Sequence, residues 1–300
     1  MARTRDVVVA VIIGGAFLVA FAFFALMFVG LFSSSDGIDL AGLGDNVGVV
    51  DLFGTIEEAS GRIVIEQLDR WADNSSIEAV VIHINSPGGG VAISQEVFDA
   101  VSRLAAEKPV VAAMAEIAAS GGYYVACGAD RIVANPGSLT GSIGVIFQFH
   151  TFGGLMDKVG IGTETIKSGE FKDVGTYERE MTKKEELMLR SVVMDSYEQF
   201  LQVVAESRSQ ELDDVRRLAD GSIYTGVQAY NLGLVDTLGG LHEAIQVAAE
   251  LAGLGGKPSV VRPYRREKIG IFDLIGSVLG NLGHRLENQV GGPRLLYLYQ

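Results

Sequence analysis

One cysteine, Cys127, among 300 residues leaves the chain unable to close an internal disulfide or to build a zinc site on paired thiolates. Histidine is nearly as scarce, with His83, His150, His242 and His284. None has a neighbouring Asp in a recognisable triad arrangement, although a triad is defined in space rather than along the chain. Basic residues are outnumbered, 24 Lys and Arg against 37 Asp and Glu, for a formal net charge of -13. Duplex nucleic acid is bound through clustered Lys and Arg, and no such cluster occurs. Internal repeats and low-complexity tracts are also missing. What remains is a folding composition, 48% hydrophobic and 20% charged, with enough apolar residues for a large core. The length allows about two average domains, or one α/β domain with appendages.

Residues 7–32 form a long apolar run without a charged residue. It exceeds the roughly 20 residues that cross a bilayer as a helix, and the roughly 7 to 15 of a signal peptide's apolar region. A single transmembrane helix is expected there. Arg3 and Arg5 precede it, whereas Asp36, Asp39, Asp45, Asp51, Glu57 and Glu58 come after it and before the first basic residue, Arg62. The positive-inside rule puts residues 1–6 in the cytoplasm and the bulk of the protein outside the cell membrane. Residues 33–46, rich in Ser, Gly and Asp, read as a linker that keeps the remainder of the chain near the membrane.

Beyond the linker, short apolar strands alternate with helical patterns. Strands are expected at 47–56, 79–84, 109–114 and 131–134, and helices at 63–71, 91–104 and from Ser120 to about residue 128. This alternation implies βαβ units and a parallel sheet buried on both faces. Ligands of such sheets sit at the carboxyl ends of the strands. Two glycine-rich turns leave from those ends, Asn85-Ser86-Pro87-Gly88-Gly89-Gly90 and Ser120-Gly121-Gly122, and are expected to share a cleft. Downstream, Thr182-Lys183-Lys184-Glu185 is a capping box opening a helix to about residue 208. Shorter helices are expected at 212–218, 225–232 and 241–251. The apolar stretch 269–282 is too short to span, and suits an oligomer or interfacial contact.

In an arbitrary chain Ser-Gly-Gly is a helix cap followed by a tight turn. Ser120 becomes a nucleophile only with a base. A lysine serves if burial depresses its pKa, and Lys167 and Lys172 both come after a strand pattern at 162–166. Either lysine alone reads as an ordinary solvated side chain near Asp173.

Four segments in order, Ser86-Pro87-Gly88-Gly89, Ala119-Ser120-Gly121-Gly122-Tyr123-Tyr124, Thr140-Gly141-Ser142-Ile143-Gly144-Val145 and Lys167-Ser168-Gly169-Glu170-Phe171-Lys172-Asp173, resemble the bacterial signal peptide peptidase, or protease IV, family. The resemblance covers about residues 47–261, and the tail from Gly292 is similar to that of the short members. It implies an α/β fold of ClpP/crotonase type and peptide-bond hydrolysis by a Ser-Lys dyad. Position by position, Ser120 matches the nucleophile and Lys172, the second lysine of its motif, the general base. Amides of Gly88 and Gly89 match the oxyanion hole, and Ser142 a serine that holds the lysine. No metal or cofactor is implied. Expected partners are the membrane, apolar peptides such as signal peptide remnants, and further copies in a homo-oligomeric ring. With one copy of each motif, Ser120 and Lys172 are expected to meet across a protomer interface.

The resulting organisation is a cytoplasmic N-terminus (1–6), a transmembrane helix (7–32), a linker (33–46), a peptidase domain (47–261) and a C-terminal apolar segment and tail (262–300). The apolar tail Leu295-Leu296-Tyr297-Leu298 is expected to enter the substrate groove as autoinhibitor or self-cleavage substrate. An acyl-CoA enzyme and a non-proteolytic membrane scaffold are the competing readings. A Ser and a Lys at the motif positions, with an extracytoplasmic location, weigh against both. A phosphate loop at residues 88–90 is disfavoured because no Gly-Lys-Ser/Thr comes after it.

Overall fold

The structure is a computed structural model that describes residues 46–255 and 257–263, together with the backbone of 295–298. The expected transmembrane helix at 7–32, the linker up to its last residue and the apolar stretch at 269–282 lie outside the described residues. Among the described residues no helix is long and apolar enough to cross a membrane.

The first half of the chain runs β1 (Asn46–Phe53), α1 (Glu58–Asp73), β2 (Ile77–Ser86), β3 (Gly88–Gly90), α2 (Val91–Ala105), β4 (Val110–Ala119), α3 (Gly121–Ala126), β5 (Arg131–Ala134), β6 (Leu139–Gly141) and β7 (Ile146–Phe147). The second half runs α4 (Gly153–Val159), α5 (Lys183–Arg208), α6 (Leu212–Leu218), β8 (Ile223–Thr225), α7 (Gly226–Asn231), β9 (Thr237–Leu238), α8 (Leu241–Leu251), β10 (Ser259–Val261) and β11 (Leu295–Leu298). The main sheet has the order β10-β1-β2-β4-β5-β9 with every neighbouring pair parallel, while β6 pairs with β4 and, antiparallel, with β8. As expected of a parallel sheet, its strands bury both faces. Val50, Leu52, Val80, Ile82 and Met114 meet α1, α2 and α5 through Leu68, Val97, Val101 and Phe200. On the other face Val47, Val49, Val81, Val111 and Val133 are covered by Ala244, Ile245 and Ala248 of α8.

β4 runs five residues beyond the expected end at 114, and the reason lies in its register. Ile84 of β2 pairs with Met114, but Ser86 pairs with Ala118, so β4 bulges between them. Below the bulge β4 pairs with β5, and above it residues 117–119 pair with β6. Backbone groups that lose ladder partners at a bulge need others. The Asn85 Oδ1 accepts from Ile117 N–H at 3.2 Å, Asn135 Nδ2 donates to Met114 O at 3.2 Å, and Ser138 Oγ donates to the carbonyls of Met114 and Ala115. The bulge interrupts the apolar pattern with exposed Glu116, which hides the strand's upper half from a periodicity reading.

The strand expected at 162–166 does not form. Residues 161–167 have no regular structure, and Ile166 is fully exposed. This segment belongs to an excursion between β7 and α5, and among the described residues its backbone joins neither sheet. A second, antiparallel sheet has the order β3-β11-β7, with Tyr297 opposite Gly89 and Leu296 opposite both Gly90 and Ile146.

Candidate active site

Ser120 stands between the upper half of β4 and α3, at φ 53 and ψ -117. A non-glycine residue in such a region costs of order 1–3 kcal/mol, and persists only where its surroundings fix it. Here they do. Ser120 N–H donates to Gly141 O at 2.8 Å, and its carbonyl accepts from Tyr124 N–H at 2.9 Å. Tyr123 anchors α3 through its hydroxyl on Leu234 O at 2.9 Å, and the Tyr124 ring lies edge-on to Phe98 and Phe200. Gly122 lets the helix start close against β2, since a Cβ there would lie 2.9 Å from Ser86 O. The Ser120 hydroxyl is buried and, among the described residues, its Oγ has no hydrogen-bond partner. A buried unpaired hydroxyl costs about 1–3 kcal/mol, so two unfavourable features coincide at one side chain.

The two glycine-rich turns do adjoin, because α3 contacts both β3 and β11. Within β3 the donors are not equivalent. Gly88 N–H donates to Ser86 Oγ at 3.1 Å, Gly88 O accepts from Ile56 N–H, and Gly90 N–H donates to Ile56 O, the last two at 2.9 Å. In an extended strand the peptide groups of successive residues point to opposite edges. Gly89 therefore turns its N–H and C=O away from Ile56, toward the slot occupied by β11. Of the two glycines singled out in the sequence, Gly88 is engaged internally and Gly89 faces the slot.

Ser142 comes directly after Gly141, the register partner of Ala119, so Ser120 and Ser142 sit at adjacent strand ends. Ser142 also has a left-handed backbone, φ 50, pinned by its N–H on Ser222 O at 2.7 Å. Beside it opens a cavity of about 440 Å³, walled by Val193, Met194 and Tyr197 of α5, Ile143, Ile146 and Asp220.

The two lysines are separated by their contacts. Lys167 Nζ lies 2.5 Å from Asp173 Oδ1 and donates to Glu170 O at 3.1 Å. This pairing holds the Asp173 carboxyl below its usual range. Lys172 is exposed on the excursion, and within the chain it makes no hydrogen bond to Ser120. Among the described residues, no histidine hydrogen-bonds the Ser120 hydroxyl. His83 lies 3.3 Å from Asp51, and burial pushes its imidazole below the ordinary value against the pull of that carboxylate. Cys127 is no rival nucleophile, because burial raises its thiol to about 12 and leaves little thiolate at neutral pH.

Sequence reasoning passed over Asn85, Asn135 and Ser138, whose side chains hold the β4 bulge, and Arg179, which ties the lysine loop to α5. Asn85 adjoins a recognised motif. Nothing in the spacing of the others announces their partners.

Comparison with known proteins agrees with this geometry. Residues 102–255 match Peptidase family S49, and residues 38–138 match the Clp protease family, in keeping with the parallel α/β core. A putative protease of Synechocystis is 40% identical over 205 residues, 68% of this chain and 74% of the relative. A putative protease of Methanocaldococcus jannaschii is 36% identical over 247 residues, 80% and 79% of the two chains. A putative signal peptide peptidase SppA of Enterococcus faecium is 35% identical over 190 residues, 63% of this chain and 55% of the relative. Neither competing reading, acyl-CoA enzyme or scaffold, accounts for these matches, and the chain belongs to peptidase family S49 as a serine peptidase of the protease IV type.

Proposed function

We propose that this serine peptidase is a membrane-anchored endopeptidase in which Ser120 is the nucleophile and Lys172, supplied by a neighbouring copy in a homo-oligomeric ring, is the general base. The observation that carries the reading is the Ser120 Oγ, buried, strained and unpartnered among the described residues, next to a Gly89 amide that faces a strand-shaped slot. The Lys172 Nζ takes the Oγ proton as the oxygen attacks the scissile carbonyl. Gly89 N–H, together with the first amides of α3, which have no intrahelical acceptor, meets the charge that develops on the carbonyl oxygen. The lysine then protonates the leaving amine, and water releases the acyl group by the same route in reverse. Ser142, at the neighbouring strand end, holds the lysine by a hydrogen bond.

The substrates are apolar peptides, cleaved signal peptides foremost. The register of β11 supports an extended substrate laid antiparallel between β3 and β7, its scissile residue opposite Gly89. The apolar cavity beside Ser142 suits such side chains. The uncharged run at 7–32, with Arg3 and Arg5 before it, supports a single-pass anchor in the cell membrane with the N-terminus cytoplasmic and the catalytic domain outside.

The test uses the full-length chain in detergent and a quenched apolar peptide. Ser120→Ala and Lys172→Ala are each expected to lower turnover by at least about 10³-fold. Wild-type activity in either variant contradicts the assignment of that residue.

A further inference from the structure

The lysine loop would be a poor platform for a base if it were as loose as its exposure suggests. It is instead tied to the core by a chain of ion pairs. Glu185, in the first turn of α5, is almost completely buried, with 2% of its side chain exposed. It accepts from Thr182 N–H at 2.8 Å in the capping box, and from both terminal nitrogens of Arg179 at 2.6 and 2.9 Å. Arg179 Nη2 also reaches Asp173 Oδ2 at 3.1 Å, and Lys167 holds the other Asp173 oxygen. Asp173 is the residue after Lys172. The base-bearing turn is closed by Lys172 N–H on Gly169 O at 3.2 Å, so pinning Asp173 from two sides fixes where the turn presents Lys172. At the far end α5 is rooted in the core by Phe200, Leu201 and Val204, all fully buried.

We propose that Arg179 is a positioning residue for the base, transmitting the fixed orientation of α5 through Glu185 and Asp173 to Lys172. This rests on the reading of Lys172 as the general base. Helix capping alone does not require the arrangement. Thr182 and Glu185 complete the capping box between themselves, and the arm from Arg179 to Asp173 adds nothing to the cap. Its planar fork can serve two carboxylates at once, which a lysine ammonium does less well. The Glu185 carboxyl is held down to about 2, chiefly by Arg179, so the relay stays charged throughout the neutral range. A base displaced by about 1 Å loses roughly 10²-fold in rate, which sets the expected scale.

The experiment compares full-length Arg179→Met, Arg179→Lys and wild type for kcat, KM and thermal midpoint, each variant also in a Lys172→Ala background. Arg179→Met is expected to lower kcat about 10- to 100-fold with KM within about two-fold, and Arg179→Lys to recover part of the loss. With Lys172 already absent, Arg179→Met is expected to leave the residual rate unchanged. An unchanged kcat in Arg179→Met overturns the proposal. So does an equal loss in the Lys172→Ala background, or a loss that merely tracks the folded fraction, since either marks a structural role. If Arg179→Met does not fold, Arg179→Lys is read against the same criteria. A fully active Lys172→Ala enzyme removes the base itself, and the positioning role falls with it. An inactive Lys172→Ala enzyme beside an undiminished Arg179→Met enzyme overturns the positioning role alone.

Discussion

Gly89 and Ser120 meet opposite steric demands on adjoining elements, β3 and the start of α3. Ser120 holds a positive-φ conformation that favours glycine, and its hydroxyl is the nucleophile of the proposed mechanism. Gly89 can carry no side chain at all, since a Cβ would be driven into the backbone of Ile56, which cannot give way. At Gly90 the same atom would meet the flexible Ile93 Cγ2 at 3.2 Å and Ile56 O only at 3.9 Å. Gly89→Ala is therefore expected to displace the slot-facing amide and lower kcat by about 10²-fold or more, with a loss of stability from overpacking of about 1–3 kcal/mol. Gly90→Ala should stay within a few-fold of wild type, as initial rates and thermal midpoints of the two variants will show. Comparable losses in both would place the oxyanion donor elsewhere. The Ser120 motif was legible in the sequence as a serine at a strand-to-helix junction. Its strain was not, because it depends on Gly141, which reaches it only through the β4–β6 pairing, and the lack of a partner for its hydroxyl among the described residues shows only in the folded chain.

At the scale of elements, the decisive feature is the fork in β4. Below it the strand completes an ordinary parallel sheet, and above it the strand is handed to β6, carrying Ser120 beside Ser142. Helices α5, α6 and α8 were readable from their spacing and, for α5, from its capping box, since those signals are local. The upper half of β4 and the absence of a strand at 162–166 were not readable, since each is decided by what lies alongside: side chains of Asn85, Asn135 and Ser138 in one case, no paired strand among the described residues in the other. The slot between β3 and β7 is likewise a tertiary product, and β11 fills it by main-chain pairing. Strand addition of this kind takes its affinity from the backbone and its selectivity from alternate side chains. If the proposed substrate uses the same slot, the tail competes with it, so truncation after Gly292 is expected to lower the apparent KM for a quenched apolar peptide and raise activity below saturation. Unchanged kinetics after truncation would remove the tail from the regulation of the site.

Across the whole molecule, the proposed nucleophile, oxyanion donor and substrate slot lie on adjoining elements of the core, whereas the proposed base is carried on an exposed excursion. That excursion and its flanks display Phe152, Leu155, Val159, Ile161, Ile166 and Phe171, all exposed, an apolar surface that the neighbouring copy of the proposed ring would cover. The family motifs single out Ser120 and Lys172 in the sequence as the candidate dyad, but no sequence signal says which subunit would donate to which. The most direct measurement mixes Ser120→Ala with Lys172→Ala protein, each inactive alone, under conditions where differently tagged subunits are seen to exchange. If every site takes its serine from one copy and its lysine from the next, a one-to-one mixture recovers roughly a quarter of wild-type activity, the fraction of heterologous contacts that join two intact residues. Mixed assemblies that remain as inactive as their parents would contradict a base supplied from a neighbouring copy.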